Sequence, residues 1–149
     1  MPELGEESKG SIMIAGVIKD TSQEDVEKLN ERGCSQLMSS RSSGRLDELE
    51  KAVECLTRAV ALTSKGHPDM PLRVGNLGAS YTDRYRRLGE LSDLEKSIEC
   101  KARAVTLTSE GHPSMPLRVG NLGTSYTDRY RRLGELTDLE KPPIHASPS

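Results

Sequence analysis

The chain contains no phenylalanine, no tryptophan and only four tyrosines in 149 residues. Large aromatic side chains usually dominate the burial in a compact core. Without them a single globule of this length would have a lean interior. An elongated stack of helix pairs makes a smaller demand, because each unit buries surface only against its neighbours. Cysteine is scarce as well. The three cysteines, none in a C-x-x-C pair, give neither a disulfide framework nor a zinc site, and they suit a reducing, cytoplasmic compartment. An excess of one charge is also lacking. With 21 basic and 23 acidic residues the net charge is −2, which argues against a nucleic acid or an anionic membrane surface as partner. The longest apolar run, Ile12 to Ile18 with Gly16 inside it, falls far short of the roughly 20 residues of a membrane span. It follows acidic Glu3, Glu6 and Glu7, the wrong sign for a secretory signal. Motifs for chemistry are missing too: the sequence has no phosphate loop, dinucleotide glycine pattern, metal cluster or Gly-x-Ser-x-Gly, so no catalytic residue, metal or cofactor is expected.

What the sequence does have is a repeat. Leu46–Glu90 and Leu91–Glu135 match at 35 of 45 positions, at an offset of 45 residues. Such self-similarity decides the architecture and has to be found first. A worn copy precedes them: Gly33, Gly44 and Leu46 stand 45 residues before Gly78, Gly89 and Leu91. A third copy begins with Leu136-Thr137-Asp138-Leu139-Glu140-Lys141. The expected organisation is a poorly ordered segment over 1–25, repeats over 26–141 (a degenerate unit 26–45, full units 46–90 and 91–135, a partial unit 136–141), and a disordered tail over 142–149. The prolines of that tail, Pro142, Pro143 and Pro148, cannot continue a helix.

Each unit reads as two helices. In one, Val74, Leu77, Gly78, Tyr81, Tyr85 and Leu88 recur at spacings of three and four, a single helical stripe, and Gly89 follows as a natural C′ residue. The other opens with Ser92-Asp93-Leu94-Glu95, a Ser-x-x-Glu capping box, repeated at Thr137 to Glu140 and in weaker form at Asp47 to Glu50. Its stripe is Leu49, Val53, Leu56, Val60 and Thr63, with small Ala52 and Ala59 beside it. Gly66 and Gly111 break this helix before the loops His67-Pro68 and His112-Pro113. Helix, turn, helix and loop without a strand describe an all-α solenoid.

The residues at these positions resemble the tetratricopeptide family. Its first helix carries a bulky apolar residue, then Leu-Gly, then an aromatic; here these are Val74, Leu77-Gly78 and Tyr81, and again Val119, Leu122-Gly123 and Tyr126. Its second helix carries a small, a larger and a small residue, here Ala52, Leu56 and Ala59; the next copy has Ser97, Lys101 and Ala104, with Lys101 departing at the large position. Ser64 and Ser109 stand where the family has a helix-ending proline. The 45-residue period exceeds the usual period of about 34. The extra length is about three helical turns shared with the loop. Long units with Asn-Leu-Gly and Gly-His-Pro are similar to kinesin-light-chain-like repeats and to the near-identical arrays of fungal proteins, where they accompany nucleotide-binding signalling (NLR-like) or caspase-like domains.

The resemblance implies an α-α superhelix of about two and a half helix pairs, right-handed, whose concave groove binds a peptide or helix of another protein. The groove residues it implies are Asn76, Ala79, Asp83 and Arg86 in one unit and Asn121, Thr124, Asp128 and Arg131 in the next. Asparagine offers a peptide backbone both a donor and an acceptor, and arginine can hold a carboxylate with two prongs. The alternative is a piece of a larger array acting as spacer or self-association module, because helix 117–133 has no partner in the sequence after it and would expose Val119, Leu122, Tyr126 and Tyr130. The histidines His67 and His112 are expected to organise their loops, since equivalent positions one unit apart lie about 10 Å from each other. Cys55 and Cys100, also equivalent, are expected in the core or on its flank, and Cys34 has no base beside it to make it a nucleophile. The recurring Asp83 to Arg87 stretch is expected to be a solvated face matched to the helix dipole.

Overall fold

A computed structural model describes residues 26–140, with side chains described through Glu135. The segments 1–25 and 142–149, expected to be poorly ordered, lie outside the described residues. Five α-helices and no strand are found among the described residues: α1 over 26–43, α2 Leu46–Leu62, α3 Met70–Leu88, α4 Leu91–Thr106 and α5 Met115–Glu140. The described residues are all-α, as the helical spacing predicts.

Glycine sets the reversals. Gly44 and Gly89 follow α1 and α3 with φ of 75° and 74°, a left-handed backbone open to glycine without a Cβ penalty. Their N–H groups donate to the carbonyls of Ser40 at 2.8 Å and Tyr85 at 2.7 Å, closing the helix ends. The longer loops after α2 and α4 also turn on left-handed glycines, Gly66 and Gly111, with φ of 83° and 85°, and they add a second device. Buried Thr63 returns its hydroxyl to the Ala59 carbonyl at 2.6 Å and accepts from buried Arg73 at 3.0 Å. Thr108, Ala104 and Arg118 repeat the arrangement at 2.6 and 2.8 Å. Pro71 then sits in the first turn of α3, where its missing N–H costs nothing.

One expectation needs correction. The capping boxes are not made. Helix α4 starts at Leu91, with extended Glu90 as its N-cap residue and no side-chain cap bond. Glu95 accepts instead from Arg129 at 3.0 Å. In α2 the N-cap residue is Arg45, again without a side-chain cap, and Glu50 accepts from Arg84 at 2.7 Å. A guanidinium–carboxylate bond carries charge on both partners, while exposed N–H groups at a helix start can be met by water. Residues 136–140 of the partial unit 136–141 continue the preceding helix, and Lys141 lies outside the described residues. Helix α5 runs unbroken through Gly134 to Glu140. A reversal at Gly89 is supported by all of α4 returning onto α3. No helix returns onto α5 among the described residues, and the straight helix is the local default.

Consecutive helices pack antiparallel, and the contacts run in opposite chain directions. Leu37 of α1 meets Leu49 and Ala52 of α2. Val60 of α2 packs on Met70 and Val74 of α3, which also meet Cys100 and Ala104 of α4. The core among the described residues is therefore a string of small clusters, filled by Leu, Val, Ile, Ala, Met and Cys without an aromatic centre. The stripe residues Val74, Leu77 and Gly78 are buried, Tyr81 and Tyr85 half-buried, and Leu88 exposed.

Two of the equivalent glycines let the backbones approach. A Cβ on Gly33 would lie 2.6 Å from Leu56 Cγ, and one on Gly78 would lie 2.9 Å from Lys101 Cγ and 3.1 Å from Cys100 Cβ. A Cβ on Gly123 would meet nothing within 4 Å. The expected result is that Gly78→Ala lowers the thermal midpoint. Gly123→Ala, freed of that clash, raises stability by about 0.5–1 kcal/mol through helix propensity alone. Parallel circular dichroism melts of the two variants check both signs.

Candidate functional site

Helices α1, α3 and α5 are joined along one side by polar bonds. The Asn76 side chain on α3 donates to Asn30 Oδ1 on α1 at 3.3 Å. Arg41 on α1 grips both carboxylate oxygens of Asp83, at 2.7 and 3.2 Å. Arg86 on α3 donates to Asp128 on α5 at 3.1 Å. Arg41 and Arg86 are one repeat apart, as are Asp83 and Asp128. The same rung is therefore built twice. The next arginine in register, Arg131, is exposed, and its side chain makes no hydrogen bond or ion pair among the described residues.

A cleft of about 170 Å³ opens between α3 and α5, with α4 behind it. Asn76, Ala79 and Asn121 line it, with Leu72, Leu117 and Lys101. Three of the eight residues expected in a groove thus share one cavity. Asp83 and Arg86 line a second cleft, with Arg41, Arg87 and Ser40. The remaining three are not brought to either. Thr124 is exposed and returns its hydroxyl to the Gly120 carbonyl at 3.1 Å, Asp128 is held by Arg86, and Arg131 stands apart. The two-pronged carboxylate grip is present in the molecule, but Arg41 makes it on Asp83, Arg84 on Asp93 and Arg45 on Asp47. Arg86 already has an internal acidic partner.

The departure at Lys101 has a structural account. Its side chain is 7% exposed, and its Nζ donates to Thr82 Oγ1 on α3 and Ser125 Oγ on α5, both at 2.8 Å. Ser97 Oγ lies 2.5 Å from Thr82 Oγ1 and 3.2 Å from Ser125 Oγ, and all three hydroxyl residues are buried. One unit earlier the equivalent positions hold Leu37, Ala52, Leu56 and Ser80. Three apolar residues have been exchanged together for Thr82, Ser97 and Lys101. Burial pushes the Lys101 ammonium down to about 8, and nearby Arg86 pushes in the same direction. An ammonium can donate three bonds, and two are accounted for.

The basic stretch after each Tyr is not simply a solvated face. Arg84 spans two neighbours. It meets both oxygens of buried Asp93 on α4 at 2.9 and 3.0 Å, and Glu50 on α2 at 2.7 Å. Arg87 and Arg132 donate to the carbonyls of Gly44 and Gly89 at 2.8 Å each, tying α3 to the glycine turn after α1 and α5 to the glycine turn after α3. Arg84 and Lys96 also flank the Tyr81 ring at 5.7 and 5.6 Å, within cation–π range.

The histidines hold their loops. His67 Nδ1 accepts the Asp69 N–H and His112 Nδ1 the Ser114 N–H, each at 2.9 Å. The cysteines are free: Cys55 is buried, Cys34 and Cys100 half-buried. Burial, the larger effect, with Glu31 beside Cys34 and Glu99 beside Cys100, raises both of those thiols, Cys100 to about 11. That direction suppresses the thiolate a nucleophile needs.

The sequence reading missed the hydroxyl–amine cluster and the arginine rungs. A signal for the rungs was present, because Arg41 survives in the worn unit in register with Arg86.

The buried ammonium fixes a pH dependence. Below about pH 8 lysine is protonated whether the chain is folded or not, and the fold carries the full burial cost. Between about 8 and the ordinary 10.5 only the unfolded chain keeps the proton, so this residue's contribution to stability rises with pH. Lys101→Met is expected to be more stable than the parent at pH 7, with the difference shrinking toward pH 10. Urea melts of both proteins across that range measure it.

No helix among the described residues is long and apolar enough to cross a membrane. No protein-family model, no curated protein and no solved structure matches this chain.

Proposed function

We propose that the chain is a tetratricopeptide-type array, a right-handed superhelix of about two and a half helix pairs, that works in the cytoplasm as a scaffold or adaptor without catalysing a reaction. It binds an extended peptide or helix of another protein along the side shared by α1, α3 and α5. The observation that carries this is the cleft between α3 and α5, where equivalent residues of two units, Asn76 and Asn121, line one cavity with apolar Leu72 and Leu117. Paired amides fit a peptide backbone, which presents alternating donors and acceptors, and the flanking leucines fit its side chains. Because Asp83, Arg86 and Asp128 are paired internally, they set the shape of the groove and the amides make its contacts. Ala79, half-buried on the cleft wall, keeps the approach to Asn76 open.

A second reading rests on a different surface. Val119, Tyr126 and Tyr130 on α5 are exposed, Tyr130 to 79%, and Leu122 is half-buried. That favours a piece of a larger array, of the kind found in fungal NLR-like signalling proteins, acting as spacer or self-association module. Light scattering at rising concentration tests it; a strictly monomeric species would remove it.

A peptide-array screen with the wild-type chain and with Asn76→Ala/Asn121→Ala tests the groove. Each lost amide contact is expected to cost about 1 kcal/mol of binding, so the double variant should lose most signal while its helical circular dichroism is unchanged. A folded double variant that keeps every interaction would remove the groove assignment.

A further inference from the structure

The first nineteen residues of α5, Met115 to Leu133, repeat Met70 to Leu88 of α3 with one change, Ala79 to Thr124. The face of α3 that holds α4 is therefore written a second time on α5, and its ligand is known in detail. On α3, Gly78 lets Ser97, Cys100 and Lys101 of α4 come within 3.4 Å of a built Cβ, and Gly75 faces Ala104 at 3.9 Å. Val74 is covered to 1% exposure. Asp93, in the first turn of α4, is held by both prongs of Arg84, and Lys96 lies over Tyr81.

On α5 the same letters stand uncovered. Gly120 and Gly123 meet nothing within 4 Å, and Val119 is 48% exposed. Tyr126 has Arg129 over its ring at 5.3 Å. Arg129 has the rung to Glu95 that matches Arg84 to Glu50, but among the described side chains no carboxylate occupies the place that Asp93 takes on Arg84. Residues 136–140, in register with the start of α4, continue α5 through Gly134 rather than starting a returning helix.

We propose that the α5 face is a docking site for an amphipathic helix of another protein chain that carries the pattern of α4. Such a helix brings an acid in its first turn to Arg129 and a lysine three positions later to Tyr126. It sets a small residue over Gly123, with apolar residues on either side to cover Val119 and Leu122, and a second small residue over Gly120. Charge selects the orientation, because only a helix antiparallel to α5 puts its acidic first turn beside Arg129 near the far end. This is a binding surface distinct from the amide-lined cleft and does not depend on it.

The probe is a labelled synthetic peptide of residues 91–106, titrated into the full chain by fluorescence anisotropy. Saturable one-to-one binding is expected. An Asp93→Lys or Ser97→Leu peptide should bind about tenfold more weakly, and so should the wild-type peptide to a Gly123→Leu protein. Gly123→Leu should melt no lower than wild type, since no neighbour lies within reach of its Cβ. Asn76→Ala/Asn121→Ala should bind the peptide like wild type, which separates this face from the groove. Equal binding to wild type and to folded Gly123→Leu would overturn the proposal, as would no binding to a monomeric wild type. A wild-type dimer in sedimentation equilibrium that Gly123→Leu dissolves would overturn it in favour of a second copy on this face.

Discussion

The close approach of antiparallel helices at glycine is the constraint on which the rest of this structure depends. Without phenylalanine or tryptophan to fill wide gaps, the chain brings backbones together, and it does so where Gly33 meets Leu56 and where Gly78 meets Cys100 and Lys101. The clusters at each junction are small because the spacing is short. Dispersion contacts fall off steeply with separation, so a core of Leu, Val and Ala is adequate only at this distance. A missing Cβ on one helix thus stands in for the missing phenylalanine in the interior.

Once the helices are that close, the identity of the facing residues decides whether a junction is merely stable or also selective. The first junction is apolar, with Leu37, Ala52 and Leu56. The second replaces them with Thr82, Ser97 and Lys101 and adds Ser125 from α5. A buried amine among neutral hydroxyls is costly to bury, and apolar replacement of such groups is often neutral or stabilising. Its gain is in register. Lys101 ties α3, α4 and α5 through directional bonds, and a slip of one helical turn would strand the ammonium. The arginine rungs do the same on the outside: Arg41 to Asp83 and Arg86 to Asp128 link odd helices that share little apolar contact.

The helices themselves were legible because apolar spacing and glycine placement are local signals. Val74, Leu77 and Gly78 lie on the packed stripe as the spacing predicts, and Gly89 takes the left-handed conformation expected after a helix. The capping boxes were misread because Glu50 and Glu95 satisfy the local pattern equally well when they serve a distant arginine, and only the packing of the next helix decides between the two. Lys101 stood out in the sequence as a break in the small–large–small pattern. Its partners Thr82 and Ser125 are 19 and 24 residues away on separate helices, and no periodicity within one helix points to them. The site residues divided in the same way. Asn76, Ala79 and Asn121 came together in one cleft, whereas Asp83 pairs with Arg41 and Arg86 with Asp128, since a charge repeated at the right interval finds its neighbour's opposite charge first.

A near-perfect duplication separates what a residue is from where it stands. Val74 and Val119 lie in the same local sequence on helices of the same start, yet one is 1% and the other 48% exposed. Gly78 is in contact and Gly123 is open. Local sequence made both helices; the neighbour alone made one face core and the other surface. In a stack whose units depend on adjacent units for burial, every junction is a binding event already completed, and its residues state the rules of recognition. The pairing of α3 with α4 is such a statement, with the acid, the small residue and the cation each at a fixed place. Where the same face recurs on α5 with no helix over it among the described residues, those rules state the chemistry that would fit it, and burial of its exposed apolar surface would be the driving force.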